Sequence, residues 1–237
     1  MVETKSVPVD AAWLVGLLQA GDSFYPTGSY AHSFGLEALV QEDVVRDRET
    51  LRRFIFLSTL PALRHVELPL AAHAWRALAG PDWERIGEIC RLSSALKTAR
   101  EARQAAENIG RQRAELMANL RGHEVAREFL RRAAAEQWPH SPAISAALEG
   151  RVFGAPLPAV MAGIAYAAIS ALLAAAMKLL RLGQNASQAL LTEALAAAAG
   201  LMAPAEATRF EDIGWFNPWL DIGAARHETA EARMFIS

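Results

Sequence analysis

Residues 98–120 read TAREARQAAENIGRQRAELMANL, and this stretch decides the fold class. Ala99, Ala102, Ala106 and Ile109 recur at helical spacing, while arginines and glutamates occupy the opposite side. This spacing predicts an amphipathic helix with a narrow contact face. Because the side chains on that face are small, we expect a neighbouring helix to approach closely.

The rest of the chain repeats this helical pattern and shows neither sustained apolar/polar alternation nor an Asn-Gly hairpin signal. We therefore predict an all-α, single-domain helical bundle of about ten helices spanning residues 1–237. A flexible C-terminal tail is expected from about residue 204 to 237, ordered on partner binding. The predicted helices are 9–20, 34–41, 47–59, 61–79, 82–96, 98–120, 122–136, 157–181, 185–200 and 205–212.

Composition argues against several classes of protein. The chain has 24 lysines and arginines and 26 aspartates and glutamates, which gives a formal net charge of −2. This balance provides no excess of positive charge to attract nucleic acid. Cys90 is the single cysteine, which excludes an internal disulfide and a cysteine-based metal cluster. The N-terminus lacks a basic region followed by a long apolar run, so we expect a cytoplasmic protein.

Residues 152–177 contain no charge and resemble a membrane span in length. However, Pro156 and Pro158 stand near the start, and alanine and glycine supply most of the length. We interpret the stretch as a buried, closely packed helix of a protein that does not enter the membrane. A membrane-associated helical protein stays open as an alternative.

Motifs for cofactor and metal chemistry are missing. The only lysines are Lys5, Lys97 and Lys178, and none ends a phosphate-binding loop. No G-x-G-x-x-G occurs. His227-Glu228 begins like a zinc-protease motif, but Glu231 stands where the second histidine is required. We therefore predict no catalytic residue, no cofactor and no metal site.

The segment 23–40, SFYPTGSYAHSFGLEALV, is unusual for a connector. In one interpretation it is a turn followed by a helix. Ser33 caps this helix, and the negative charge of Glu37 in its first turn interacts favourably with the helix dipole. That interpretation leaves its aromatic residues and Gly35 unexplained. An aromatic loop fixed by proline and glycine suits a binding anchor, because large side chains lose little rotamer entropy there. The alternative is a helical enzyme with an unrecognised polar site around His32 and Glu37.

Four stretches in order along the chain resemble the UreF family of urease accessory proteins. They are LLQAGDSFYPTGSYAHSFGLE (17–37), Arg100-Glu101-x-Arg103 followed by Gly110, KLLRLGQNASQALL (178–191) and PWLDIGAARHETAEARMFIS (218–237). Departures from the family pattern are small: Gly21-Asp22 in the first stretch, and Met234 and Ile236 in the last.

The resemblance implies a homodimeric scaffold without an active site that binds UreD (also called UreH), the GTPase UreG and apo-urease. Its implied task is nickel insertion into the urease metallocentre, with an effect on GTP hydrolysis by UreG. The loop and the tail are then both partner-binding elements. The residues expected to bind partners are Pro26, Gly28, Tyr30, His32, Ser33, Gly35, Glu37, Arg100, Glu101, Arg103, Lys178, Gln184, Arg226, His227, Glu228, Arg233, Phe235 and Ser237.

Overall fold

The computed structural model describes residues 11–22, 24–29, 32–218, 221–222, 225 and 234–235. These residues form helices and connecting turns without any strand, which confirms the predicted all-α class. The α-helices are α1 Ala12–Gly21, α2 Leu36–Gln41, α3 Arg48–Phe54, α4 Leu60–Ala62, α5 Leu68–Ala77, α6 Trp83–Ala95, α7 Arg100–Arg121, α8 Glu124–Ala135, α9 Pro142–Phe153, α10 Leu157–Leu179 and α11 Gln184–Glu206.

Helices α3, α4 and α5 form one continuous helical run, joined by π-helical turns at Ile55–Thr59 and Leu63–Glu67. The prediction of a break before Pro61 is therefore wrong. Each π turn ends immediately before a leucine-proline pair: Leu60 N–H donates to Ile55 O, and Leu68 N–H to Leu63 O. In a regular α-helix a proline ring would collide with a backbone carbonyl of the preceding turn. The wider π turn moves these carbonyl groups, so the helix continues through the proline.

Polar side chains and glycines set several of the helix ends. Asp47 accepts a hydrogen bond from Thr50 N at 2.8 Å, and Thr50 Oγ1 accepts one from Asp47 N at 3.0 Å, which closes a capping box at α3. Gly122 and Gly154 adopt left-handed conformations after α7 and α9.

Two clusters of buried apolar side chains form the interior, and the helical run from Arg48 to Ala77 contributes to both. The first cluster joins it to α2, α10 and α11, and includes Leu36, Leu51, Ile55, Leu63, Met161, Ile169, Leu172 and Leu190. The second joins it to α6, α7, α8 and α9, and includes Leu70, Ile86, Ile89, Met117, Phe129, Ile144 and Leu148.

Helix α9 was not among the predicted helices, although it lies at the centre of the bundle. It packs against α1, α5, α7, α8 and α10. Because most of its residues are buried, it has no polar face, and a search for amphipathic spacing passes over it. Its contact with α7 is very close: a Cβ at Gly110 would lie 2.4 Å from Ser141 N. The close approach is therefore at Gly110, which was not among the four residues of the predicted small-residue face.

The uncharged stretch 152–177 is not one helix, because residues 154–156 separate α9 from α10. Helices α10 and α11 are each long and apolar enough to cross a membrane by length and composition. Along α10, nine residues from Leu157 to Ala176 are buried inside the bundle. This burial agrees with the interpretation of a closely packed core helix.

The C-terminal tail starts later than about residue 204. Helix α11 continues through Pro204 to Glu206, and a 3-10 turn follows at Phe210–Asp212. The guanidinium of Arg85 lies 3.8 Å from the Phe210 ring centroid, and Ile213 is buried. Residues up to about 214 are therefore part of the packed body.

Candidate functional site

Three of the segments predicted to bind partners meet at Phe235. Glu37 is 3% exposed, and its carboxylate accepts a hydrogen bond from Met234 N at 2.7 Å and one from Phe235 N at 3.0 Å. The Lys178 ammonium, at the end of α10, lies 5.3 Å from the centroid of the Phe235 ring. We call Glu37, Lys178 and Phe235 the tail anchor.

The local sequence explains how Glu37 reaches this position. Gly35 precedes α2 with a left-handed backbone (φ +82°), which glycine adopts without steric cost. Ser33 Oγ accepts a hydrogen bond from Glu37 N at 3.3 Å, and Ser33 O accepts one from Leu36 N at 3.1 Å. The interpretation of Ser33 as the cap of this helix is therefore wrong, because Gly35 holds the N-cap position. Ser33 lies two residues earlier and still accepts a hydrogen bond from the first turn.

Burial of Phe235 changes the expected role of the tail. Its side chain is 5% exposed within the single chain, whereas Met234 beside it is 63% exposed. The expectation of an apolar chain end that stays uncovered without a partner therefore does not hold at Phe235. Phe235 can be buried there because the Glu37 carboxylate satisfies the backbone N–H groups of Met234 and Phe235.

The turn before α2 is built around Pro26 and Gly28. Thr27 is buried and its N–H donates to Tyr25 O at 2.7 Å. Gly28 has φ +76°, so the predicted need for backbone freedom is confirmed. On the outside of the turn, Phe24 is 93% exposed. The loop thus holds an aromatic side chain in solvent on a fixed backbone.

His32 is buried beside Phe34, with 6.5 Å between the two ring centroids. Burial lowers the pKa of His32 below its usual value of 6.5, so the ring is neutral at pH 7. Phe34 is 44% exposed and adopts a positive φ of 55°. His32 therefore packs against the loop and is largely hidden from solvent.

Sequence reasoning missed a buried ionic cluster formed by Tyr25, Arg113 of α7 and Glu149 of α9. Glu149 is 1% exposed and pairs with the Arg113 guanidinium, whose carbon lies 5.8 Å from the Tyr25 ring centroid. Burial, followed by the negative charge of Glu149, raises the pKa of Tyr25 to about 12. Burial also raises the pKa of Glu149, and Arg113 opposes that shift. The available signal was a lone carboxylate in the apolar run AISAALEG, residues 143–150.

The remaining described candidates lie at the starts of two long helices. Arg103 donates from Nη1 to Lys97 O at 2.8 Å, and so fixes the connection between α6 and α7. Arg100 is exposed and Glu101 half-buried in the first turn of α7, and Gln184 is exposed as the first residue of α11. Among the described residues, neither Arg103 nor Gln184 forms a hydrogen bond or ring contact with the tail anchor.

Six candidates lie outside the described residues, and the predictions for them stay predictions. They are Tyr30, Arg226, His227, Glu228, Arg233 and Ser237.

Within the described part of the chain, no group of three or more histidines, cysteines, aspartates or glutamates is placed to hold a metal ion. Cys90 is fully buried, and burial raises the pKa of its thiol to about 12. A thiol in that environment stays protonated and is a poor ligand and nucleophile.

Comparison with known proteins identifies relatives over nearly the whole length. The profile of the UreF family matches residues 45–195. A urease accessory protein UreF of Paenarthrobacter aurescens is 30% identical over 97% of this chain and all of that protein. A UreF 1 of Brucella melitensis is 29% identical over 94% of this chain and 92% of its own. A UreF of Bacillus sp. strain TB-90 is 28% identical over 94% of this chain and 99% of its own.

Proposed function

The chain belongs to the UreF family of urease accessory proteins, and from that premise we propose that it is a non-catalytic scaffold for urease maturation. In this role it joins UreD (UreH), the GTPase UreG and apo-urease, as a cytoplasmic homodimer, while nickel enters the urease metallocentre. Through the contact with UreG it modulates GTP hydrolysis. It binds neither nucleic acid nor membrane.

The observation that carries this proposal is the tail anchor. Glu37 belongs to the aromatic loop, Phe235 to the C-terminal tail and Lys178 to the end of α10, and the three lie together. Two segments interpreted separately as partner-binding elements are therefore in contact with each other, which supports the proposal that they act together. Phe24 and Met234, at 93% and 63% exposure, supply apolar side chains on these same segments. Exposed aromatic and methionine side chains are typical of interface centres.

The same geometry disfavours the alternative of a helical enzyme. A general acid or base must reach the reacting group of a substrate. The Glu37 carboxylate instead accepts two backbone hydrogen bonds from the tail, and His32 is 7% exposed. Hydrolytic turnover by the purified chain that disappears in His32→Ala would reverse this judgement.

The experiment that tests the scaffold is co-purification of UreD and UreG with this chain, followed by urease activation in a strain without its own UreF. Phe24→Ser and Met234→Ser should keep the melting temperature and lose partner binding. Leu57→Ser is the matched control, because Leu57 is 63% exposed on the π turn after α3. Equal loss of binding in all three variants, or in none, would contradict the proposed surface.

A further inference from the structure

An apolar cavity of about 300 Å³ lies between the loop and helices α1, α3, α7, α9 and α10. Most of its walls are aliphatic and aromatic side chains together with alanines and glycines, including Leu17, Phe34, Phe54, Ile109 and Leu172. The ion-paired side chains of Glu67 and Lys97 also line it. The volume is at the lower end of the range for small-molecule sites. Nothing in the scaffold role described above uses this space.

One end of the cavity is polar. Arg113 and Glu149 both line it, and they pair with each other. Two of their atoms remain buried without a hydrogen-bond partner, namely Arg113 Nε and Glu149 Oε1. Burial, followed by the charge of the neighbouring Glu149 carboxylate, raises the pKa of the Tyr25 hydroxyl.

Buried polar atoms without partners are rare in native proteins, since each costs about 1–3 kcal/mol. Arg113 Nε, a donor, and Glu149 Oε1, an acceptor, are therefore unsatisfied beside a mainly apolar chamber. The arrangement matches a molecule whose head group donates and accepts hydrogen bonds and whose body is apolar. A water molecule could satisfy the polar atoms, but it would leave the apolar chamber unfilled.

We propose that this cavity is a binding site for a small, neutral, amphipathic molecule that carries a primary amide or hydroxyl head group. The head group contacts Arg113 and Glu149, and the aliphatic body lies along Ile109 and Leu172. A neutral head is favoured because Arg113 and Glu149 already balance each other's charge. A charged head would be an additional buried ion without a counter-charge.

Octanamide is a suitable probe, because it combines a primary amide with an aliphatic chain. Titration calorimetry on the full chain should show saturable binding. Octylamine, with a cationic head on the same chain length, should bind at least tenfold more weakly. The measurement needs no partner protein, so its result is independent of the scaffold function.

Two glycines provide a blocking variant and its control. Gly163 of α10 lines the cavity and is exposed, and a Cβ there meets no atom within 4 Å. Gly163→Leu should therefore project into the cavity without disrupting the fold. Gly200 of α11 is also exposed with open space around it, but it does not line the cavity. Both substitutions replace a helical glycine with a better helix former, so neither should lower the melting temperature.

We expect Gly163→Leu to weaken octanamide binding at least tenfold and Gly200→Leu to leave it unchanged. Glu149→Gln should weaken the binding of octanamide more than it weakens the binding of alkane probes that lack a head group. Absence of saturable heat with the native chain overturns the proposal. So does octanamide affinity that is equal in the native chain and Gly163→Leu, because binding would then occur elsewhere.

Discussion

The Glu37 carboxylate and the Phe235 backbone N–H, 198 residues apart in the chain, form a hydrogen bond of 3.0 Å in a buried environment. The other oxygen of the same carboxylate accepts Met234 N–H at 2.7 Å. One side chain at the start of α2 thus holds two consecutive residues of the C-terminal tail. This relationship leads directly to the first two predictions.

Substitution Glu37→Ala should release the chain end. Each hydrogen bond to a charged group contributes about 1.5–3 kcal/mol, so both amides at positions 234 and 235 should exchange at least tenfold faster with solvent. UreD binding should fall in parallel. Hydrogen exchange with mass spectrometry makes the measurement, with Glu115→Gln on the exposed side of α7 as control. Unchanged exchange near residue 235 would show that the carboxylate does not hold the tail.

Removal of residues 226–237 should abolish UreD binding while the chain keeps a cooperative thermal transition. The truncation should also lower stability, because it removes Phe235, whose side chain is buried against the rest of the protein. Truncation should therefore lower the unfolding free energy by about 3 kcal/mol. Phe235→Ala should reproduce that loss with the rest of the tail present. A truncated chain without a cooperative transition would place the tail in the core.

Gly28→Val should impair urease activation far more than its stability loss explains, and Tyr30→Ala is expected to do the same. The left-handed backbone at Gly28 makes any side chain unfavourable by about 1–2 kcal/mol. Gly154 has the same φ of +76° at the end of α9 and is the matched control. Thermal melts and partner pull-downs should show similar destabilisation, with binding lost only at Gly28. Loss of binding in Gly154→Val as well would mean that strain alone is responsible.

Stability should fall as the pH decreases below 6.5, and His32 should account for part of that slope. Burial lowers the pKa of His32 in the folded state, so the unfolded chain takes up the proton first as the pH falls. Proton binding stabilises the unfolded state relative to the folded state. The loss begins near pH 6.5 and is complete below the folded pKa. Urea unfolding of the native chain and of His32→Gln at pH 7.5 and 5.5 measures it. If the unfolding free energy changes by the same amount between the two pH values in the native chain and in His32→Gln, then His32 does not contribute.

The chain should form a homodimer at micromolar concentration, seen in light scattering as about twice 25.7 kDa. Helix α11 exposes Ala196, Ala199 and Ala203 along one side, and small side chains let two helices meet closely. Ala196→Arg should yield a monomer, whereas Ala134→Arg on exposed α8 should not. A mass of 25.7 kDa for the native chain throughout that range would refute dimerisation.

Local sequence patterns predicted the helical class and most helix positions, because amphipathic spacing depends on nearby residues. They failed for α9, whose burial on most sides removes the polar face that marks a helix. They also placed a break at Pro61, since local chemistry does not show that a π turn can accommodate a proline within a helix.

For the candidate site, the sequence named residues but not their contacts. Glu37, Lys178 and Phe235 were each named from family-like stretches, but the contacts of Phe235 with the other two depend on the tertiary fold. The cluster of Arg113 and Glu149 was missed for the same reason. A glutamate in an apolar run signals an unusual environment, yet its arginine lies 36 residues away on another helix.

The continuous helix from Arg48 to Ala77 has a consequence for biosynthesis. It supplies apolar residues to both interior clusters, but α10 and α11, which provide much of the first cluster, are synthesised only after residue 156. Leu63 and Leu68 of the first cluster therefore leave the ribosome before these neighbours exist. Until then one face of this helix stays uncovered, as expected for a segment that binds general folding chaperones during synthesis.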